Sequence, residues 1–146
     1  FDFQGLLKRK SFILLHGWML DIDKRYKRSV FSLVGIRMVN LKEVLKRLGE
    51  RQGYALLDTV VARLTEVIRD SDRCTRTAED IIWLLLPETD AKGVQRVLER
   101  LSGLADALKE ADADIQVRIA HYSAPDDARG ESDPELLLSR LSSQLF

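Results

Sequence analysis

The sequence predicts an α/β domain of the α+β kind, with a central, mostly antiparallel sheet of about five strands flanked by helices. Three observations carry that prediction. The run VFSLVGIRMV, residues 30–39, is β-rich and apolar enough for a buried strand. Two further strand-like runs, Arg73–Arg76 and Ile81–Leu86, lie either side of a short polar turn, the pattern of a β-hairpin. The stretches around them repeat apolar residues every three or four positions, as one face of a helix does.

Taken in order, Lys8–Lys27 carries Phe12, Leu15, Met19 and Ile22 at helical steps. Those apolar residues serve equally to pack on this domain or to meet a partner helix. Arg28 and Ser29 lead into the buried strand. Leu41–Leu48 reads as a short helix punctuated by Gly49 and Gly53. Tyr54–Ile68 is a longer helix, with Leu57, Val60, Val61, Leu64, Val67 and Ile68 on its inner side. The hairpin follows. Ala91–Leu108 is helical through Val94, Val97, Leu98, Leu101 and Leu104. Ile115–Tyr122 alternates as a half-exposed strand would. Ser123–Ser132 reads as a loop, and Asp133-Pro134 opens a last helix, with proline in its first turn. No repeat, linker or low-complexity tract divides the chain, so residues 1–146 form one domain.

The length of 146 residues suits one domain, and 45% hydrophobic with 32% charged residues suits a soluble protein with a real core. Lys plus Arg and Asp plus Glu each total 23, giving no net charge. A DNA or RNA binder would show a basic excess, so neither nucleic acid is an expected partner. A local basic pocket for a small anion remains compatible with that balance. The lone Cys74 precludes an internal disulfide and fits a reducing, cytoplasmic setting. No apolar run approaches the roughly 20 residues that cross a bilayer, so no membrane contact is expected of this segment. Ser11–Leu20 is too short to span and lacks a cleavage pattern. A start at Phe1 and a helical end at Phe146 suggest a fragment of a longer signalling protein.

Few side chains suggest chemistry on their own. His16 and His121 lack metal-spaced partners and read as core or edge histidines. Cys74 has no partner cysteine and no adjacent base, and reads as a packed thiol. Trp18 and Trp83 sit on apolar faces, suited to core or interface. Lys8-Arg9-Lys10 reads as a solvated face.

The hairpin carries a resemblance. Arg76-Thr77-Ala78-Glu79-Asp80-Ile81-Ile82 runs without a gap into Trp83-Leu84-Leu85-Leu86-Pro87-Glu88-Thr89-Asp90. It resembles the signature of the GGDEF family, the diguanylate cyclases that join two GTP molecules into cyclic di-GMP. That signature reads Arg, any residue, Gly-Gly-Asp-Glu-Phe, then apolar residues ending in Leu-Pro-Glu-Thr. Phe3-Gln4-Gly5-Leu6 and Arg9-Lys10-Ser11-Phe12 are similar to the family's opening motif. Gly49 and Gly53 match its paired glycines, and Glu135-Leu136-Leu137 begins a similar last helix. The likeness is collinear over nearly the whole chain and implies the family's nucleotide-cyclase palm-like fold.

The same register implies a degenerate member. The family's metal-binding Asp at the end of the first strand falls on Arg37, and the next Asp of that motif on Val39. Two divalent metals need carboxylate oxygens, and a guanidinium repels them. The signature glycines become Ala78 and Glu79, and the acidic residue that works on metal and hydroxyl becomes Ile81; Asp80 alone survives. The guanine-contacting region falls on Leu45 and Lys46, and the family's His-Gly-Asp residues on Glu50, Gly53 and Tyr54. Asp21-Ile22-Asp23 mimics a metal motif but precedes the strand, and reads as a solvated helix end. The resemblance therefore implies no catalytic residues, no metal site, no magnesium and no cofactor.

One family feature is retained. Many members bind the product at a second site marked by Arg-any-any-Asp just before the hairpin, assisted by an arginine of the next helix. Here these are Arg69, Asp72 and Arg100. A guanidinium fork can bond guanine O6 and N7 or grip a phosphate, and an aspartate can accept from guanine N1 and N2. Arg73 and Arg76 are near enough in sequence to add field. By itself the motif is also an ordinary solvated ion pair worth under ~1 kcal/mol. The resemblance thus implies an inactive domain that binds cyclic di-GMP through Arg69, Asp72 and Arg100, as a homodimer or with a partner signalling domain. The alternative is a dimerisation or docking module that binds no nucleotide.

Overall fold

The computed structural model describes residues 6–26, 30–78, 80–110, 115–124 and 133–146. Phe3-Gln4-Gly5 of the opening motif, Lys27, Arg28-Ser29, Glu79 and the expected loop beyond Ala124 lie outside the described residues. Among the described residues, nine elements follow in order: β1 (Leu6–Leu7), α1 (Arg9–Tyr26), β2 (Phe31–Met38), α2 (Leu41–Val67), β3 (Arg73–Ala78), β4 (Ile81–Pro87), α3 (Ala91–Glu110), β5 (Val117–Ala124) and α4 (Pro134–Leu145). The strands form one sheet in the order β1-β3-β4-β2-β5. β1 pairs with β3 in parallel; β3–β4, β4–β2 and β2–β5 are antiparallel. The expected α+β architecture and its mostly antiparallel five-stranded sheet are what is found.

The alternation of β4 explains how the sheet holds two helix layers. Ile82, Leu84 and Leu86 face the layer made by α2 and α3, where they meet Val60, Leu64, Leu101 and Leu104. Ile81, Trp83 and Leu85 face α1 and α4, among Phe12, Leu20, Leu138 and Leu141. Both faces are covered, so the strand is apolar throughout, as buried strands are. Trp83 lies across the chain at its β2 partner Gly35, where a Cβ would stand 2.4 Å from the indole. Gly35 is the recess that admits the ring.

Most elements lie where periodicity puts them. The two expected helices of residues 41–68 are joined through Gly49, which leaves helical geometry at φ 81° and ψ 178°. Glycine adopts that left-handed region without a Cβ clash. The inner face of the second helix runs through Leu56, Val60, Leu64 and Val67, whereas Leu57 and Val61 are only half-buried. β5 begins at Val117 rather than Ile115 and runs on through Ser123 and Ala124, which were expected in a loop. Strand β1 escaped sequence reading because two residues show no period. Thr75 secures it by donating to the Leu7 carbonyl at 2.9 Å. Asp133 caps α4, its carboxylate accepting from the Glu135 amide at 3.0 Å, with Pro134 next in line. Among the described residues, no helix is long and apolar enough to cross a membrane.

Candidate functional site

Helix α2 stops when Ile68 turns extended (φ −83°, ψ 128°). The turn Arg69-Asp70-Ser71-Asp72 then leads into β3, closed by the Asp72 amide donating to the Arg69 carbonyl at 3.0 Å. Asp72 is buried and folds back on Arg69. Its Oδ2 accepts from the Arg69 amide at 2.9 Å and from Nε at 3.5 Å, and its Oδ1 accepts from Nη2 at 3.2 Å. Nη2 also donates to the Pro87 carbonyl at 3.0 Å and to Thr89 Oγ1 at 2.8 Å, at the far end of the hairpin. Arg69 remains 52% exposed despite these bonds, and none of them uses Nη1.

That guanidinium borders a cavity of about 400 Å³ between the end of β4 and α3. Arg100 borders it too, as do Arg96, Glu88 and Asp90, above a floor of Val67 and Val97. Three guanidinium groups face two carboxylates, so the rim is cationic. Asp90 is partly occupied, its Oδ1 accepting from the Gly93 amide at 2.7 Å at the start of α3. The structure thus brings Arg69 and Arg100 to one cavity and sets Asp72 behind Arg69, outside the lining. Arg96 was missed; its spacing of one helical turn from Arg100 was the available signal. Arg73, expected only to add field, turns to the backbone, its Nη1 donating to the carbonyls of Asp70 and Asp72 at 2.7 Å each. A smaller recess of about 290 Å³ adjoins, with Arg63, Glu66 and Gly103 and again Arg100 on its border.

Roughly 20 Å away, at the other end of β2, a second arginine organises its surroundings. Arg37 Nε donates to Asp80 Oδ2 at 3.3 Å, and Nη1 donates to the Leu145 carbonyl at 3.0 Å. The Phe146 ring lies 3.9 Å from the guanidinium carbon, a cation–π contact. Arg118, its β5 neighbour, donates to the Phe146 carbonyl. Further along α2, Leu45, Lys46, Glu50, Gly53, Tyr54 and Leu57 border an open cavity of about 410 Å³ around the Gly49 kink.

Two other buried titratable groups, His16 and Cys74, line none of these cavities. His16 is fully buried, and burial pushes its imidazole down to about 4. Its Nε2 shares a hydrogen bond with the Tyr122 hydroxyl, and its ring meets Phe31 edge-on at 5.9 Å. Burial likewise pushes the Cys74 thiol up to about 12, against the pull of Arg73 and with the push of Asp72. Both bear out the bland readings. Trp83 is core, whereas Trp18 stands 61% exposed with Leu14 one turn before it.

Residues 10–145 match the family described as diguanylate cyclase, GGDEF domain. The chain belongs to the GGDEF family. Solved GGDEF structures share its fold. A GGDEF-only variant of TpbB (YfiN) from Pseudomonas aeruginosa superposes with a TM-score of 0.74 at 21% identity, covering 97% of this chain and 83% of that one. The GGDEF domain of DgcB from Caulobacter crescentus, in complex with c-di-GMP, gives 0.73 at 14% identity, covering 96% and 83%. The diguanylate cyclase SiaD from P. aeruginosa, in complex with its activator SiaC, gives 0.73 at 19%, covering 97% of this chain and 54% of that one. No curated protein sequence matches.

Within this GGDEF domain, the positions read from the resemblance fall into two separate groups. Arg37, Asp80 and Ile81 meet where β2 ends and β4 begins, with the cavity at Leu45, Glu50 and Tyr54 on α2. Arg69 and Arg100 meet at the opposite ends of those strands. Among the described residues, no three His, Cys, Asp or Glu side chains gather as a metal-holding group.

Proposed function

We propose that this GGDEF domain is catalytically inactive and acts as a receptor for cyclic di-GMP, which it holds in the cavity between Arg69 and Arg100. The observation that carries the reading is the convergence of these two arginines, from the turn before β3 and from α3, on one cationic cavity. A dianionic dinucleotide with two guanine edges offers matching acceptors. Each guanidinium can grip a phosphate or the O6/N7 edge of guanine by charge-assisted bonds. Arg96 adds a third cation, and Asp72 contributes by holding Arg69. The ligand would bridge the Arg69 turn to α3, and a change in the domain's partners would follow only from unequal affinity for two arrangements.

Inactivity is supported by the donor set at the other end of the strands. Divalent metals there would need several carboxylate oxygens. Asp80 already accepts from Arg37, Ile81 offers hydrocarbon, and the guanidinium occupies the space as a cation held by a carbonyl and an aromatic ring. These residues do not fit the metals. The single buried thiol is in keeping with a cytoplasmic setting.

Titrating cyclic di-GMP by calorimetry tests the reading. Binding by the wild type is expected, with a loss beyond detection in Arg69→Glu and a drop of tenfold or more in Arg100→Ala. GTP with magnesium is expected to yield no cyclic product. Equal affinity of wild type and Arg100→Ala would sink the two-sided grip. A second reading, a docking or dimerisation module indifferent to nucleotide, is favoured by the exposed Leu14 and Trp18 of α1. Self-association that Trp18→Glu abolishes, with no response to nucleotide, would select it.

A further inference from the structure

The turn that ends β4 has an uncommon backbone conformation. Glu88 sits at φ 53°, in the left-handed region that side-chain-bearing residues avoid. Thr89, beyond it, is directed inward and is only 6% exposed. Its hydroxyl accepts from Arg69 Nη2 at 2.8 Å and donates to the Pro87 carbonyl at 3.1 Å, which itself accepts from the same Nη2 at 3.0 Å. One arginine nitrogen is thereby seated between both sides of the turn.

The seat is anchored to the sheet. The Thr89 carbonyl accepts from the Ser32 hydroxyl at 2.8 Å, and that hydroxyl shares a 2.8 Å bond with Ser123 on β5. Ser32 and Ser123 are buried, so these bonds form where water does not compete. Gly93 completes the fit, because a Cβ there would come within 3.0 Å of the Thr89 methyl. Asp72 holds the guanidinium from below through Nε and Nη2, and Thr89 holds Nη2 from the side. Nη1 is left as the open edge.

We propose that Thr89 is a positioning residue for the dinucleotide site: its hydroxyl, aimed by the left-handed Glu88, fixes the Arg69 guanidinium before ligand arrives. This rests on the reading of the cavity as a cyclic di-GMP site. A free arginine surrenders rotamer freedom when it grips a ligand, and ordering it beforehand removes that cost from binding. The hydroxyl is spent on Arg69 and Pro87, so Thr89 acts through the arginine.

The test compares the full chain with Thr89→Val, Thr89→Ser and Thr89→Ala, the last as a second way to remove the hydroxyl should valine disturb folding. Nitrogen-15 relaxation of the Arg69 Nε–H is measured without ligand, and cyclic di-GMP affinity by calorimetry. Valine and alanine are expected to free the guanidinium and weaken binding about tenfold, the scale of one lost bond to a charged group. Serine is expected to keep both within about twofold, which a purely structural role for the methyl would not allow. An Arg69 that stays as ordered in Thr89→Val and Thr89→Ala as in the wild type overturns the proposal, whatever the ligand does. If the wild type ignores cyclic di-GMP yet both variants free Arg69, the functional reading falls and the positioning stands.

Discussion

Arg69 and Asp72 show what one residue pair can and cannot declare from sequence. Their spacing, and the register of Arg100 beyond them, marked the cavity. That Asp72 would be consumed beneath its own arginine was not legible, because the bonds from Nη2 to Pro87 and Thr89 depend on a turn 18 and 20 residues further on. His16 makes the residue-scale case in energy. Its folded value near 4 lies below the ordinary 6.5, so the unfolded chain takes up the proton first. Stability is full above pH 6.5, declines as pH falls towards 4, and levels off below that, with about 3 kcal/mol at stake. Urea unfolding at pH 7, 5.5 and 4 should trace the decline, and His16→Leu should flatten this part of the profile.

At the scale of elements, the helices and long strands were legible because burial imposes a period. β1 was not, since two residues carry no period and the pairing is to a strand far along the chain. Helix α2 was read as two pieces, and Gly49 does supply the break, but the second piece starts at Glu50 rather than Tyr54 and runs straight through Gly53. The pairing of β2 with β4 rests on Gly35 yielding its side-chain space to Trp83. Gly35→Ala should force the indole aside and cost about 2–3 kcal/mol. Chemical denaturation with tryptophan fluorescence reads both effects; an unshifted emission and an unchanged midpoint would contradict the close approach.

For the whole molecule, one sheet carries arginines in different surroundings at its two ends. At one end of β2 a cavity lies open between arginines; at the other, Arg37 ties β2, the hairpin and α4 together. The resemblance placed Arg37 at the position of a family metal-binding Asp. It could not reveal the new partners, because Leu145 and Phe146 reach it only once α4 has docked. Arg37→Ala should therefore destabilise by about 2 kcal/mol, since it breaks a half-buried ion pair, a carbonyl bond and a ring contact at once. Hydrogen exchange should show the amides of α4 losing protection before those of α2 and α3. Uniform loss across both layers would argue against a clasp acting on α4.

The double-sided burial of β4 also dictates which length changes the chain tolerates. Excising a single residue ahead of Trp83 inverts every side chain after it, driving the indole toward α2 and α3 and stranding a hollow over Gly35. Removing two neighbours together restores parity. Viable insertions and deletions in this strand should therefore come in even numbers.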